Sequence, residues 1–222
     1  MKIDYRLYLV TDDPSRYRGN WLDNIVSAVE GGVTCVQYRD TESDREAQYA
    51  RIKALKEVLN VRKVALIVNN DAELAKAVQA DGIHVGQHDM SPEEVRAIVG
   101  KNCEIGLSIT AEVQLPRAFS LYRGGYVNAL GVGPVFDARK TKADASEALG
   151  LTLFGKIAAQ IHQTSSLPVI AIGGLTLENA AEVRRAGADS LALVSAFSRM
   201  SDSKYAAVAL RKNLDFPSKA IL

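Results

Sequence analysis

The sequence predicts an α/β protein, a single domain over residues 1–222 folded as a (β/α)8 TIM barrel. Three observations lead there. Short apolar runs, often β-branched and each the length of a buried parallel strand, recur eight times along the chain. The segments between them carry helical periodicity, and strict strand–helix alternation requires a parallel sheet. The first strand-to-helix turn, Thr11-Asp12-Asp13-Pro14, has no glycine-rich dinucleotide fingerprint, which favours closure into a barrel over an open doubly wound sheet.

The strands are expected at 6–11 (RLYLVT), 34–39 (TCVQYR), 64–69 (VALIVN), 82–86 (GIHVG), 104–109 (EIGLSI), 127–132 (VNALGV), 168–173 (PVIAIG) and 190–195 (SLALVS). The first helix is expected over 23–30, ended by Gly31-Gly32 in the manner of a C-cap. The second, over 44–59, gathers Ile52, Leu55, Val58 and Leu59 on one side. A third spans 72–79. The fourth starts on Ser91 as N-cap, with Pro92 at the first helical position and Glu94 at the third. A fifth, over 111–121, must be kinked or delayed by Pro116. Segments 151–163, 177–186 and 204–214 complete the set. The loop 133–150, GPVFDARKTKADASEALG, is long and polar, carries Arg139, Lys140 and Lys142, and is expected to be a mobile lid.

Bulk properties exclude several classes of function. Hydrophobic residues make up 47% and charged residues 24%, as in ordinary globular proteins. A formal net charge of +1 gives no general field for nucleic acid or an acidic membrane. No apolar run approaches the ~20 residues that span a bilayer. The start, MKIDYRLYLVTDD, runs into a strand without a signal-peptide core, so a cytoplasmic location is expected. Cys35 and Cys103 fit reduced buried thiols, and no Cys/His metal spacing occurs. The partners expected are small molecules, with homo-oligomerisation left open.

In a barrel, functional side chains gather where strands end. After strand 7 comes Gly173-Gly174, and after strand 8 comes Ser195-Ala196. Glycines let backbone approach an anion, and the amides that follow form a donor nest, so a phosphate is expected there; a simple tight turn is the alternative. On strand 2, Gln37 and Arg39 share one side and point into the mouth. An inward arginine meets either an anionic ligand or an internal carboxylate such as Asp12. Asn69-Asn70-Asp71 and Gln87-His88-Asp89 offer oxygens that could share one Mg2+, although such residues also cap helices. His84 and His88 come with no visible partner and read as structural or solvent-facing. Ser108 is non-specific alone.

Taken together these segments resemble thiamine phosphate synthase from about residue 6 to residue 200. The pieces are LYLVTD (7–12), GGVTCVQYRD (31–40), LIVNND (66–71), ADGIHVGQHDM (80–90), GLS (106–108), GVGPVF (131–136), TKAD (141–144), AIGG (171–174) and LVSA (193–196). Their order and spacing carry the resemblance. It implies a transferase of thiamine biosynthesis that joins 4-amino-2-methyl-5-hydroxymethylpyrimidine diphosphate to a thiazole phosphate, releasing pyrophosphate by a dissociative, Mg2+-assisted route. It also implies roles by position. Gln37, Arg39, Thr41, Asn69, Ser108 and Lys142 would hold the pyrimidine diphosphate, with Arg39, Ser108 and Lys142 catalytic. Asp89 and Asn70 would bind Mg2+. Thr141, Gly173, Gly174, Val194 and Ser195 would receive the thiazole phosphate.

Four positions depart from the family pattern. Thr41 stands where lysine is usual, Asn69-Asn70 precedes Asp71 where Asn-Asp is usual, and Thr110 stands where histidine is common. The lid motif P-T-x-T-K becomes Asp137-Ala138-Arg139-Lys140-Thr141-Lys142. Arg139 or Lys140 is expected to replace the missing lysine. Two other readings fit the same scaffold: a thiazole tautomerase, against which Pro134 occupies the position of the expected histidine, and a non-catalytic regulator that binds thiazole phosphate. A sugar-phosphate isomerase or tryptophan-pathway barrel would explain Gly174 and Ser195, but not Gln37, Asn69 and Lys142 together.

Overall fold

Strands of four to six residues, apolar on both sides, must have both faces covered, and closing the sheet on itself also removes its edges. The computed structural model, which describes residues 2–41, 43–139 and 146–214, shows that closure. The strands are β1 (Leu7–Val10), β2 (Cys35–Tyr38), β3 (Ala65–Asn69), β4 (Gly82–Val85), β5 (Glu104–Ile109), β6 (Ala129–Val132), β7 (Val169–Ile172) and β8 (Ser190–Leu193). Each pairs in parallel with the next, and β8 returns to β1. The expected barrel and all eight strands are present.

Alternation along each strand divides the core in two. Tyr8, Val10, Cys35, Ala65, Ile67, Ala129, Ile170 and Ala192 fill the lumen, while Leu7, Leu9, Val36, Leu66, Val68 and their equivalents pack outward against the helices. The floor is closed from below. Glu104 takes hydrogen bonds from the Ile3 amide (3.0 Å) and the Tyr5 hydroxyl (2.8 Å), pinning the N-terminal segment under β5.

The outer layer is α1 (Trp21–Glu30), α2 (Arg45–Arg62), α3 (Ala72–Ala77), α4 (Pro92–Val99), α5 (Leu115–Arg123), α6 (Gly150–Thr164), α7 (Ala180–Arg185), α8 (Ser195–Ser198) and α9 (Ser203–Leu214). α4 begins as expected, with the reciprocal Ser91–Glu94 capping box. Pro116 lies in the first turn of α5, whose start is delayed to Leu115 behind a 3-10 turn at Glu112–Gln114. α7 starts at Ala180 rather than 177, because the Asn179 side chain accepts from the Thr176 amide (2.8 Å) and holds 176–179 as a turn. The 3-10 turn Pro14–Arg16 and α8 are too short to show periodicity and were not foreseen.

The expected lid is fastened at both flanks. The amides of Val135 and Phe136 donate to Ile172 and Gly173 carbonyls (2.9 and 3.0 Å), and Leu149 and Gly150 donate back to Pro134 and Val135 (2.8 and 3.0 Å). Lys140, Thr141 and Lys142 lie outside the described residues. Both cysteines are buried thiols, and burial pushes Cys103 from the usual 9.0 up to about 11. Among the described residues no helix is long and apolar enough to cross a membrane.

Gly31, between α1 and β2, shows how tightly the outer layer is fitted. A Cβ there would stand 2.5 Å from the Lys204 carbonyl oxygen and 2.7 Å from the Ala207 Cβ on α9. Its φ of −80° suits any residue, so the constraint is steric alone. Gly31→Ala should therefore cost about 1–3 kcal/mol of stability, read as a lower urea midpoint at unchanged m-value.

Candidate active site

The polar residues of the lumen gather at its C-terminal end. Gln37 is buried and donates from Nε2 to Asn69 Oδ1 (2.9 Å), joining β2 to β3 just below the mouth. Arg39 follows on the same side, half-buried, with its amide held by Thr11 Oγ1 (2.9 Å). Among the described residues its guanidinium meets no carboxylate. The alternative pairing of Arg39 with Asp12 does not form. Asp12 instead accepts from Ser198 Oγ (3.1 Å) and the Asp13 amide (3.1 Å), with Arg16 at 3.5 Å. Asp12 thereby ties the end of β1 to α8. That link, 186 residues apart in sequence, was missed because no local pattern signals it.

Asp40 and Tyr38 face the other side of β2. Asp40 accepts from the Tyr38 hydroxyl (2.9 Å), Arg51 (2.9 Å) and the Ser43 amide (3.0 Å). Burial alone would raise its carboxyl, but the Ser43, Tyr38 and Arg51 donors hold it below 3.8. Asp40 therefore fastens the β2–α2 loop and does not enter the mouth. Thr41, next in line, is exposed.

At the end of β3, Asn70 takes a left-handed φ of 61°, and its amide donates to the His84 carbonyl (2.9 Å). Asp71 is spent elsewhere: it caps α3 through the Leu74 amide (2.8 Å) and pairs with Arg45. Asp89 is exposed, with one carboxylate oxygen on the Gly86 amide (2.7 Å). Asn70 and Asp89 are thus both anchored on the end of β4. Among the described residues, no three His, Cys, Asp or Glu side chains cluster as a metal cage. His88 is exposed, as expected. His84 is not without a partner: its Nε2 lies 2.9 Å from Ser108 Oγ on β5. Thr110 is bound to the Gln114 side chain (amide to Oε1, 2.8 Å).

Across the mouth, Gly173 and Gly174 have φ of 94° and 67°, a region that favours glycine. A Cβ on either would collide with Pro134 (2.4 Å) or Phe136 (2.6 Å), so the pair also lets the lid's first segment lie on β7. Asn179 Nδ2 donates to the Gly174 carbonyl (3.0 Å). No acceptor among the described residues takes the Gly174 or Ser195 amide. Val194, half-buried, completes this rim beside Ser195, the first residue of α8.

A family model described as thiamine monophosphate synthase matches residues 7–197. The chain belongs to that family. It is 38% identical over 208 residues to the thiamine-phosphate synthase of Azorhizobium caulinodans, covering 94% of each chain. To that of Vibrio campbellii it is 40% identical over 203 residues, 91% of this chain and 94% of the relative. Among solved structures it is similar to the thiamine phosphate pyrophosphorylase from Pyrococcus furiosus, with a TM-score of 0.80 at 28% identity, covering 95% of this chain and 96% of that one.

Within this thiamine monophosphate synthase barrel, the candidate residues that are described fall at one end. Gln37 and Asn69 are joined directly, Ser108 is joined to His84, and Arg39, Gly174 and Ser195 stand on the rim. Arg139 is exposed and paired with Asp137 (2.9 Å), so its charge is already partnered on the near flank of the lid.

Asp40 supplies a pH test. Its carboxyl titrates below its unfolded value, so its stabilisation is present above pH 3.8 and is lost as pH falls further. Asp40→Asn should cost about 1.5–3 kcal/mol near neutral pH, the worth of charge-assisted hydrogen bonds. In urea unfolding followed against pH, its deficit relative to wild type should shrink below pH 3.8.

Proposed function

We propose that this chain is a thiamine-phosphate synthase, a transferase coupling 4-amino-2-methyl-5-hydroxymethylpyrimidine diphosphate to 4-methyl-5-(2-phosphoethyl)thiazole, or its carboxylate form. The observation that carries this reading is the family match over residues 7–197, supported by relatives of that name over nearly the whole chain. The same reading makes it a cytoplasmic enzyme of thiamine biosynthesis acting on small molecules, without nucleic acid or membrane as partner.

The reading assigns two anion sites. The amides of Gly174 and Ser195, with Val194, Gly173 and the lid residue Thr141, receive the thiazole monophosphate. Backbone donors suit this task because they are fixed in place and need no reorganisation. By the resemblance, Arg39, Thr41 and Lys142 take the diphosphate, and Gln37, Asn69 and Ser108 hold the pyrimidine end. The guanidinium of Arg39 meets no carboxylate among the described residues, which supports this assignment, since a half-buried cation is stabilised by a bound anion.

Asn70 and Asp89 fit Mg2+ of the kind that arrives with substrate. Such an ion keeps several waters and uses one or two carboxylates plus phosphate oxygens, and the Asp89 carboxylate, with the side-chain oxygen of Asn70, would supply the protein's share. When bound, it would offset charge on the leaving diphosphate.

The step proposed is dissociative. The bond between the pyrimidine methylene and the diphosphate oxygen breaks, and its electron pair leaves with pyrophosphate. The lone pair of the thiazole nitrogen then forms the new C–N bond; where the thiazole carries a carboxylate, that group also leaves as CO2 and a proton takes its place. Arg39 and Lys142 stabilise the charge that develops on the leaving group, and no strong general base is required. Thr41 and Asn70, in place of the usual lysine and aspartate, take one positive and one negative charge from this site, so its net charge is kept.

Incubation with both substrates and Mg2+ should give thiamine phosphate and pyrophosphate in equal amounts, and chelation should stop it. Arg39→Ala should lower kcat about 100-fold or more without unfolding the protein. No product under conditions in which the Azorhizobium relative turns over would overturn the assignment; isomerisation of the thiazole carboxylate instead would favour the tautomerase reading.

A further inference from the structure

His84 projects from β4 into the lumen, and its ring occupies space that two neighbouring strands leave for it. A Cβ at Gly106 on β5 would stand 2.5 Å from His84 Nδ1, and one at Gly131 on β6 would stand 2.7 Å from Cε1. Neither glycine has a positive φ, so backbone conformation does not demand them. A mid-strand glycine weakens a sheet, and two on neighbouring strands against one side chain mark close approach of another group. Here that group is the imidazole.

The register explains what the ring does. His84 lies opposite Asn69 on one side and Gly106 on the other, while Ser108 lies opposite Gly131. Gln37, Asn69, His84 and Ser108 therefore form one polar layer from β2 to β5 directly beneath the mouth, with bonds of 2.9 Å at each end.

We propose that His84 is a positioning residue that orients the Ser108 hydroxyl toward the pyrimidine diphosphate; this rests on Ser108 contacting that ligand. A serine hydroxyl has one proton to give and two lone pairs to offer. If Nε2 carries the ring proton and donates to Oγ, the Ser108 proton remains for an anionic oxygen above it. In the other tautomer the ring consumes that proton, and Ser108 presents only lone pairs to an anion. An anionic ligand therefore selects the Nε2–H form. The ring itself stays below the mouth and acts through Ser108.

The test compares wild type, His84→Ala, Ser108→Ala, the double variant and His84→Gln, measuring kcat and KM for the pyrimidine diphosphate. Each alanine variant should lower kcat/KM roughly tenfold, the worth of one hydrogen bond. The double variant should be no worse than Ser108→Ala, and glutamine, whose amide nitrogen reaches the Nε2 position, should recover most of the loss. Multiplying losses, or a glutamine variant as poor as alanine while folded, would overturn the proposal. Nitrogen NMR of the folded wild type gives a readout independent of turnover. It should show His84 protonated at Nε2, with that resonance shifted in Ser108→Ala; a ring protonated at Nδ1 alone would overturn the proposal. If wild type makes no thiamine phosphate, the synthase reading falls separately. The same five proteins are then ranked by their affinity for pyrophosphate with Mg2+ in calorimetry, and equal affinities would overturn the role of His84.

Discussion

Closure of the eight-stranded ring is the constraint on which everything else depends. Once β8 pairs with β1, every second side chain of each strand is committed to a shared interior whose cross-section is set by the strand count. Tyr8 and Ile67 fill the lower part of that interior, and Ile3 and Tyr5 seal it from below. The space left at the upper end is small, and polar groups there must find partners among themselves or in a ligand. The Gln37–Asn69 and His84–Ser108 pairs meet that requirement inside the barrel. Arg39, one pleat higher, meets no carboxylate among the described residues.

Electrostatics sort the acidic residues around the mouth. Asp12, Asp40 and Asp71 lie near strand ends, yet each serves a structural bond: to α8, to the β2–α2 loop, and to the start of α3 with Arg45. Asp89 remains exposed at the rim. Among the described residues, no carboxylate therefore meets Arg39, and no acceptor takes the amides of Gly174 and Ser195. The glycine pair after β7 serves two purposes at once, since it adopts positive φ and its missing Cβ atoms leave room for Pro134 and Phe136.

Much of this was legible along the chain. β-branched runs located the strands, and Ser91-Pro92-Glu93-Glu94 located the start of α4, because both signals act over a few residues. The parity of Gln37 and Arg39 was equally local. His84 was misread as lacking a partner, although Gly106 and Gly131 were present in the sequence as a sign of a bulky lumen neighbour. Two glycines among apolar residues carry no such meaning until strand register brings them to one ring. Asp12 was offered to Arg39 because both lay at neighbouring strand ends, whereas a buried hydroxyl on the unforeseen α8 took it.

By itself, then, the sequence determined the alternation of elements, the side of each strand that faces the lumen, and membership in the family that matches residues 7–197. Those properties depend on periodicity and on the order of short motifs. Tertiary structure alone decided which polar group each of those residues meets. Lateral neighbours in a barrel are far apart in the chain, as with His84 and Ser108 at 24 residues and Gln37 and Asn69 at 32. Hydrogen bonds and ion pairs act across a few ångströms of space, so their partners are chosen by register and closure.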